Sequence, residues 1–142
     1  MRSSLLAILA MGTILSAGGA LAEVIHFTAK LDGASETPPR DTKGTGTADV
    51  TLDTVTKVLS WKVAYSGLSG PATMAHFHGP AAPGTAAAAT VPLTGALASP
   101  IKGSEAITDG QIGDLRGGLW YVNVHTAKYP SGEIRGQVLQ AK

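Results

Sequence analysis

Gly44-Thr45-Gly46-Thr47-Ala48-Asp49-Val50-Thr51-Leu52-Asp53 decides the fold, because its apolar and polar residues alternate without a break. Successive side chains of a strand point to opposite faces, so Ala48, Val50 and Leu52 turn inward while Thr47, Asp49 and Thr51 face out. That alternation is the mark of an antiparallel strand with one wet face. Asp53 to Lys57 turns the chain, and Val58 to Tyr65 repeats the pattern with Leu59, Trp61, Val63 and Tyr65 on one side. The two segments are expected to pair as a hairpin.

Working outward, Val24 to Leu31 is rich in β-branched and aromatic residues and reads as an opening strand, which Pro38 and Pro39 then break. A turn cluster, Gly67 to Pro71, precedes Met74-Ala75-His76-Phe77-His78, and Gly79-Pro80 ends that strand. Ala81 to Thr90 is a small-residue loop, followed by short edge segments at Val91-Pro92-Leu93 and Pro100 to Gly103. Thr108 or Asp109 caps one brief helix, which Gly117-Gly118 stops. Leu119 to Thr126 and Glu133 to Leu139 form a closing hairpin around Tyr129-Pro130-Ser131-Gly132. The expected fold is all-β: an antiparallel Greek-key β-sandwich or flattened barrel with at most one short helix.

The chemistry concentrates on two of these strands. His76 and His78 share a face that Ala75 and Phe77 do not. With Trp120, Val122 and Val124 inward, Tyr121, Asn123 and His125 take the opposite side of their strand. His76, His78 and His125 are therefore candidate ligands of one metal ion. Imidazole suits copper, zinc, iron and nickel, and affinity runs highest for Cu(II), which favours copper. Met74 lies on the same face and offers a soft thioether, or packs. Asn123, Glu133 and Arg135 are candidates for a supporting shell. The competing reading gives the histidines loop carbonyls to bind and makes Glu133 and Arg135 a surface ion pair. His26 lies opposite Ile25 and Phe27 and reads as an exposed strand histidine; Phe77, Trp61 and Trp120 read as core.

The first 22 residues are read as a signal peptide: Arg2, an apolar run from Leu5 to Leu15, and Ala20-Leu21-Ala22 as the cleavage site. Glu23 to Lys142 is one domain in length. Without Arg2, ten of the eleven basic residues remain against ten acidic ones. A balanced charge gives no electrostatic basis for nucleic acid or an anionic membrane surface. The protein is expected to be exported, periplasmic or secreted, with no membrane association after cleavage. It has no cysteine, so stability rests on packing and a metal must use other ligands. There is no Gly-x-Ser-x-Gly elbow and no phosphate loop, and no catalytic residue is assigned.

Three ordered blocks carry a family likeness: His76 to Ala81, Gly118 to Thr126, and Tyr129 to Gln137. With the opening Leu31 to Pro39, of the form Leu-x-Gly-x-x-Glu-x-Pro-Pro, they resemble the chordin-type or CHRD domain over nearly the whole mature chain. The resemblance implies an exported protein, since the family is found in bacterial exported proteins and in extracellular developmental regulators, and it defines no chemistry. In chain order, His76, His78, His125 and Arg135 are also similar to copper/zinc superoxide dismutase, an eight-stranded barrel with copper on its outer wall. The bridging histidine, the zinc ligands and the cysteine pair of that enzyme have no counterpart here, which implies a single-metal, non-dismutase relative. Three functions follow: copper storage, delivery or redox handling; a metal-free module binding an extracellular or periplasmic protein or glycan; and a dismutase-like enzyme.

Overall fold

The computed structural model describes residues 18, 19 and 21–142. The expected leader, residues 1–22, falls almost wholly outside them. Among the described residues there are eight strands: β1 (Val24–Asp32), β2 (Thr45–Asp53), β3 (Val58–Ser66), β4 (Ala72–His78), β5 (Ala89–Pro92), β6 (Ile101–Ala106), β7 (Trp120–Thr126) and β8 (Ile134–Gln140). One helix, α1 (Asp109–Arg116), joins β6 to β7. The strands form one sheet in the order β5-β4-β7-β8-β1-β2-β3-β6, with every neighbouring pair antiparallel.

Alternation places the side chains as expected. Ile25, Phe27, Ala29 and Leu31 of β1, Ala48, Val50 and Leu52 of β2, and Leu59, Trp61 and Val63 of β3 are all buried, and His26 is exposed. The sheet rolls nearly shut, so side chains of strands far apart in sheet order meet inside it. Phe77 of β4 lies between Trp61 of β3 and Trp120 of β7, with ring centroids 5.6 and 5.9 Å away. Burying a side chain of this size contributes about 1.5–3 kcal/mol, so this aromatic cluster ties the two halves of the roll together. The short β5 and β6 form the two edges, and Pro92, which has no N–H to offer, ends β5.

Several boundaries differ from the sequence reading; β6, for one, runs on to Ala106 rather than ending at Gly103. β5 begins at Ala89, inside the stretch read as loop, because Phe77 and His78 offer it a partner. β8 begins at Ile134, one residue late. Thr108 rather than Asp109 caps α1: its hydroxyl accepts from Gln111 N while the Gln111 side chain accepts from Thr108 N.

β7 departs from simple alternation in burial. Every residue from Trp120 to Thr126 is buried on both faces. The inner face meets the core, and the outer face lies under the β1–β2 loop, the β4–β5 loop and the β7–β8 turn. What the sequence marks as the outward side is therefore a covered layer, and that layer holds the histidines.

Candidate metal centre

Strand register sets the outer layer. Across β4 and β7, Met74 lies opposite His125, His76 opposite Asn123, and His78 opposite Tyr121. Across β7 and β8, Asn123 pairs with Arg135 and Tyr121 with Gln137. Irregularities in the ladders at Ala72/Met74 and Phe77/His78 leave His76 and His78 on this face. His76 and His125 thus sit on one diagonal of the lattice, and His78 and Asn123 on the next.

One ligand nitrogen from each of His76, His78 and His125 lies within 4.8 Å of the others. His76 Nδ1 is 3.2 Å from His125 Nε2. The outer nitrogens are pinned: His78 Nδ1 is 2.9 Å from the Ala87 carbonyl oxygen, and His125 Nδ1 is 2.8 Å from that of Pro130. A carbonyl oxygen only accepts, so both Nδ1 atoms carry the proton and donate it. In the neutral rings both Nε2 atoms then present lone pairs, and both are aimed at Asn123 Oδ1, 2.9 and 3.0 Å away. Fixing Nδ1 by a backbone carbonyl so that Nε2 is free to bind is the usual arrangement around a metal-bound imidazole.

Charge is managed in the same direction. Burial lowers the pKa of His76, and the neighbouring His125 and His78 lower it further. Burial also lowers that of His125, against a partly offsetting bond to Pro130. Neutral imidazole is the form that binds a metal. Behind Asn123 stands Glu36, 3.4 Å from Asn123 Nδ2 and only 5% exposed. Burial raises its pKa, outweighing the Asn123 and Thr37 hydrogen bonds and the positive charges of Arg135 and Arg40. Gly132, at φ +123°, makes room for this pair, since a Cβ there would overlap Glu36 Oε1 and lie 2.6 Å from Asn123 Nδ2.

Two lone pairs facing a carbonyl oxygen repel, and two arrangements relieve the clash. A cation between the nitrogens and the oxygen makes all of them ligands. Alternatively the Asn123 amide is turned, since its oxygen and nitrogen are close to indistinguishable in shape. Nδ2 then donates to both Nε2 atoms while Oδ1 accepts from a protonated Glu36.

The remaining sequence candidates separate. Met74 is 45% exposed at the rim. Arg135 is buried, with its guanidinium 3.5 Å from the Tyr121 ring centroid, and it donates to Thr37 Oγ1 and the Ala82 carbonyl. Tyr121 stacks in turn on His78, 4.7 Å between centroids and 3° between planes. Arg135, Tyr121 and His78 form a column that sets the plane of the His78 ring. Glu133 does not pair with Arg135. It is fully buried and accepts from the hydroxyls of Thr42, Ser69 and Thr126 and from Ser69 N, at 2.6 to 2.8 Å. It binds three loops together and stands apart from the imidazole cluster. The Glu133–Arg135 ion pair, one of the two readings of these residues, does not form, because each finds closer partners.

Glu36, Gly132 and the carbonyls of Ala87 and Pro130 escaped the sequence reading as site groups. Backbone carbonyls leave no trace in a sequence. Glu36 had one, as the glutamate of the Leu31 to Pro39 block.

No helix among the described residues is long and apolar enough to cross a membrane. No curated protein and no solved structure shows significant similarity to this chain. The CHRD domain profile matches residues 27–138, from the second inward side chain of β1 to the last of β8 and so the whole rolled sheet with its covered histidine layer. The chain belongs to the CHRD domain family, which is found in extracellular and exported proteins.

Proposed function

We propose that this is an exported metal-binding protein that holds one copper ion through His76, His78 and His125, for storage, delivery or redox handling. The observation that carries the reading is the pair of fixed tautomers: two Nδ1 protons committed to backbone carbonyls leave two Nε2 lone pairs converging beside His76 Nδ1. Imidazole donors, the absence of thiolates and the affinity order among divalent ions favour copper over zinc. Metal analysis of protein purified without chelator, followed by Cu(II) titration calorimetry, tests it. About one ion per chain is expected. Binding no tighter than millimolar, or binding unchanged in His78→Ala, overturns it.

A second reading, a metal-free module that binds an extracellular protein or glycan, is favoured by one observation. With the Asn123 amide turned and Glu36 protonated, Asn123 donates to the Nε2 atoms of His78 and His125 and accepts from Glu36 without an ion. Protein that stays metal-free through purification and copper titration supports that reading. Superoxide consumption by the copper-loaded form distinguishes a third, dismutase-like, function.

A further inference from the structure

We infer that Asn123 Oδ1 is a fourth donor to the ion held by His76, His78 and His125. The inference rests on the metal-binding reading above and deepens it from three ligands to four.

Distances carry the assignment. Ligand arms of about 2.0–2.2 Å set donor–donor separations of about 2.9 Å at right angles and about 3.4 Å at the tetrahedral angle. The observed separations are 2.9 Å for His78 Nε2 to Asn123 Oδ1, 3.0 Å for His125 Nε2 to Asn123 Oδ1 and 3.2 Å for His76 Nδ1 to His125 Nε2. All three fall in or near that range, and the ligand nitrogens of the three histidines all lie within 4.8 Å of one another. Asn123 is 2% exposed and sits opposite His76 in the ladder, two residues from His125 on the same face. Its side chain is built into the cluster by the strand itself.

The back of the amide is arranged to match. Asn123 Nδ2 donates to Glu36 Oε1, which turns the oxygen toward the imidazoles. Gly132 holds that contact from above, with a backbone conformation that L side chains rarely adopt. Glu36 and Gly132 are positioning residues, and Asn123 is the ligand. Four side-chain donors leave fewer open positions on the ion than three, which fits retention and transfer of the ion better than turnover at it.

Asn123→Asp and Asn123→Ala, compared with wild type, test the inference, with circular dichroism confirming the β fold of each. A neutral amide ligand replaced by a carboxylate gains a full charge toward a dication, so Asn123→Asp is expected to bind Cu(II) about tenfold more tightly or better. Asn123→Ala is expected to bind about 10–100-fold more weakly, with a changed copper EPR spectrum as water replaces the amide oxygen. Asn123→Asp loses the bond to Glu36 whichever role Asn123 has, so Asn123→Asp is also made in the Glu36→Gln background, where the same gain over Glu36→Gln is expected; if Asn123 only orients its neighbours, the double variant binds no more tightly than Glu36→Gln. That result overturns the fourth donor, as does an Asn123→Ala protein with wild-type affinity and EPR spectrum. Wild-type protein that binds no copper overturns the metal-binding reading and the fourth donor with it.

Discussion

His76 Nδ1 and His125 Nε2 lie 3.2 Å apart although 49 residues separate them in the chain. His125 Nε2 carries no proton in the neutral ring, because Nδ1 gives its proton to the Pro130 carbonyl. His76 Nδ1 therefore faces a bare lone pair to which it can donate.

Metal loading should stabilise the protein by mass action. At free copper 100-fold above the dissociation constant the gain is about 2.7 kcal/mol, read as a rise in melting temperature that a chelator reverses. His125→Ala should show no rise. An equal rise in wild type and His125→Ala would place the copper elsewhere.

Acid should destabilise the metal-free form. The folded pKa values of His76 and His125 lie below the ordinary 6.5. As pH falls through about 6.5 the unfolded chain takes up protons that the folded chain refuses, so stability drops until the folded values are reached. Melting temperature is expected to decline from about pH 7.5 toward pH 5.5, and the decline should flatten in His125→Gln. An identical slope in the variant would count against the assignment.

Glu36 works in the opposite sense. Its folded pKa is raised above 4.5, so its contribution is complete below that value and fades as pH rises through the folded one. Glu36→Gln keeps an acceptor for Asn123 Nδ2 without the buried charge. It should melt above wild type near neutral pH, with the gap closing toward about pH 4.5.

Glu133→Gln should cost about 1–3 kcal/mol in denaturant unfolding. An amide nitrogen in place of one carboxylate oxygen cannot accept from Ser69 and Thr126, which leaves buried donors unpaired. Burial alone would raise the Glu133 pKa, but the bonds from Thr126, Thr42 and Ser69 outweigh it and hold it below 4.5. The stability that Glu133 contributes is thus full above that value and lost as pH falls through the lower folded one. Copper affinity should change little, since Glu133 contacts none of the three histidines. A large loss of affinity with intact folding would contradict the separation of loop staple and metal centre.

Gly132→Ala should weaken copper binding about 10–100-fold, because its new Cβ meets both Glu36 and Asn123. Calorimetry of the folded variant checks this, and undiminished affinity would show that the Glu36–Asn123 contact is dispensable.

The sequence by itself determined the strands and which way each histidine points. Ala48, Val50 and Leu52, or Trp120, Val122 and Val124, commit their strands to one inward face, because a slip of one residue would put every apolar side chain in water. Parity then carries His76, His78 and His125 to the other face with no further information. Only the tertiary structure decided what that face meets. Pairing β4 with β7, at a register that sets Met74 against His125, brings nitrogens 49 residues apart within 3.2 Å. Loops arriving from β1–β2 and β4–β5 bury the layer, supply the Ala87 carbonyl, bring Glu36 to Asn123, and send Glu133 and Arg135 to different partners. Side-chain direction is a local consequence of backbone periodicity. Proton placement and the spacing of the histidine nitrogens depend on contacts between segments that no local pattern encodes.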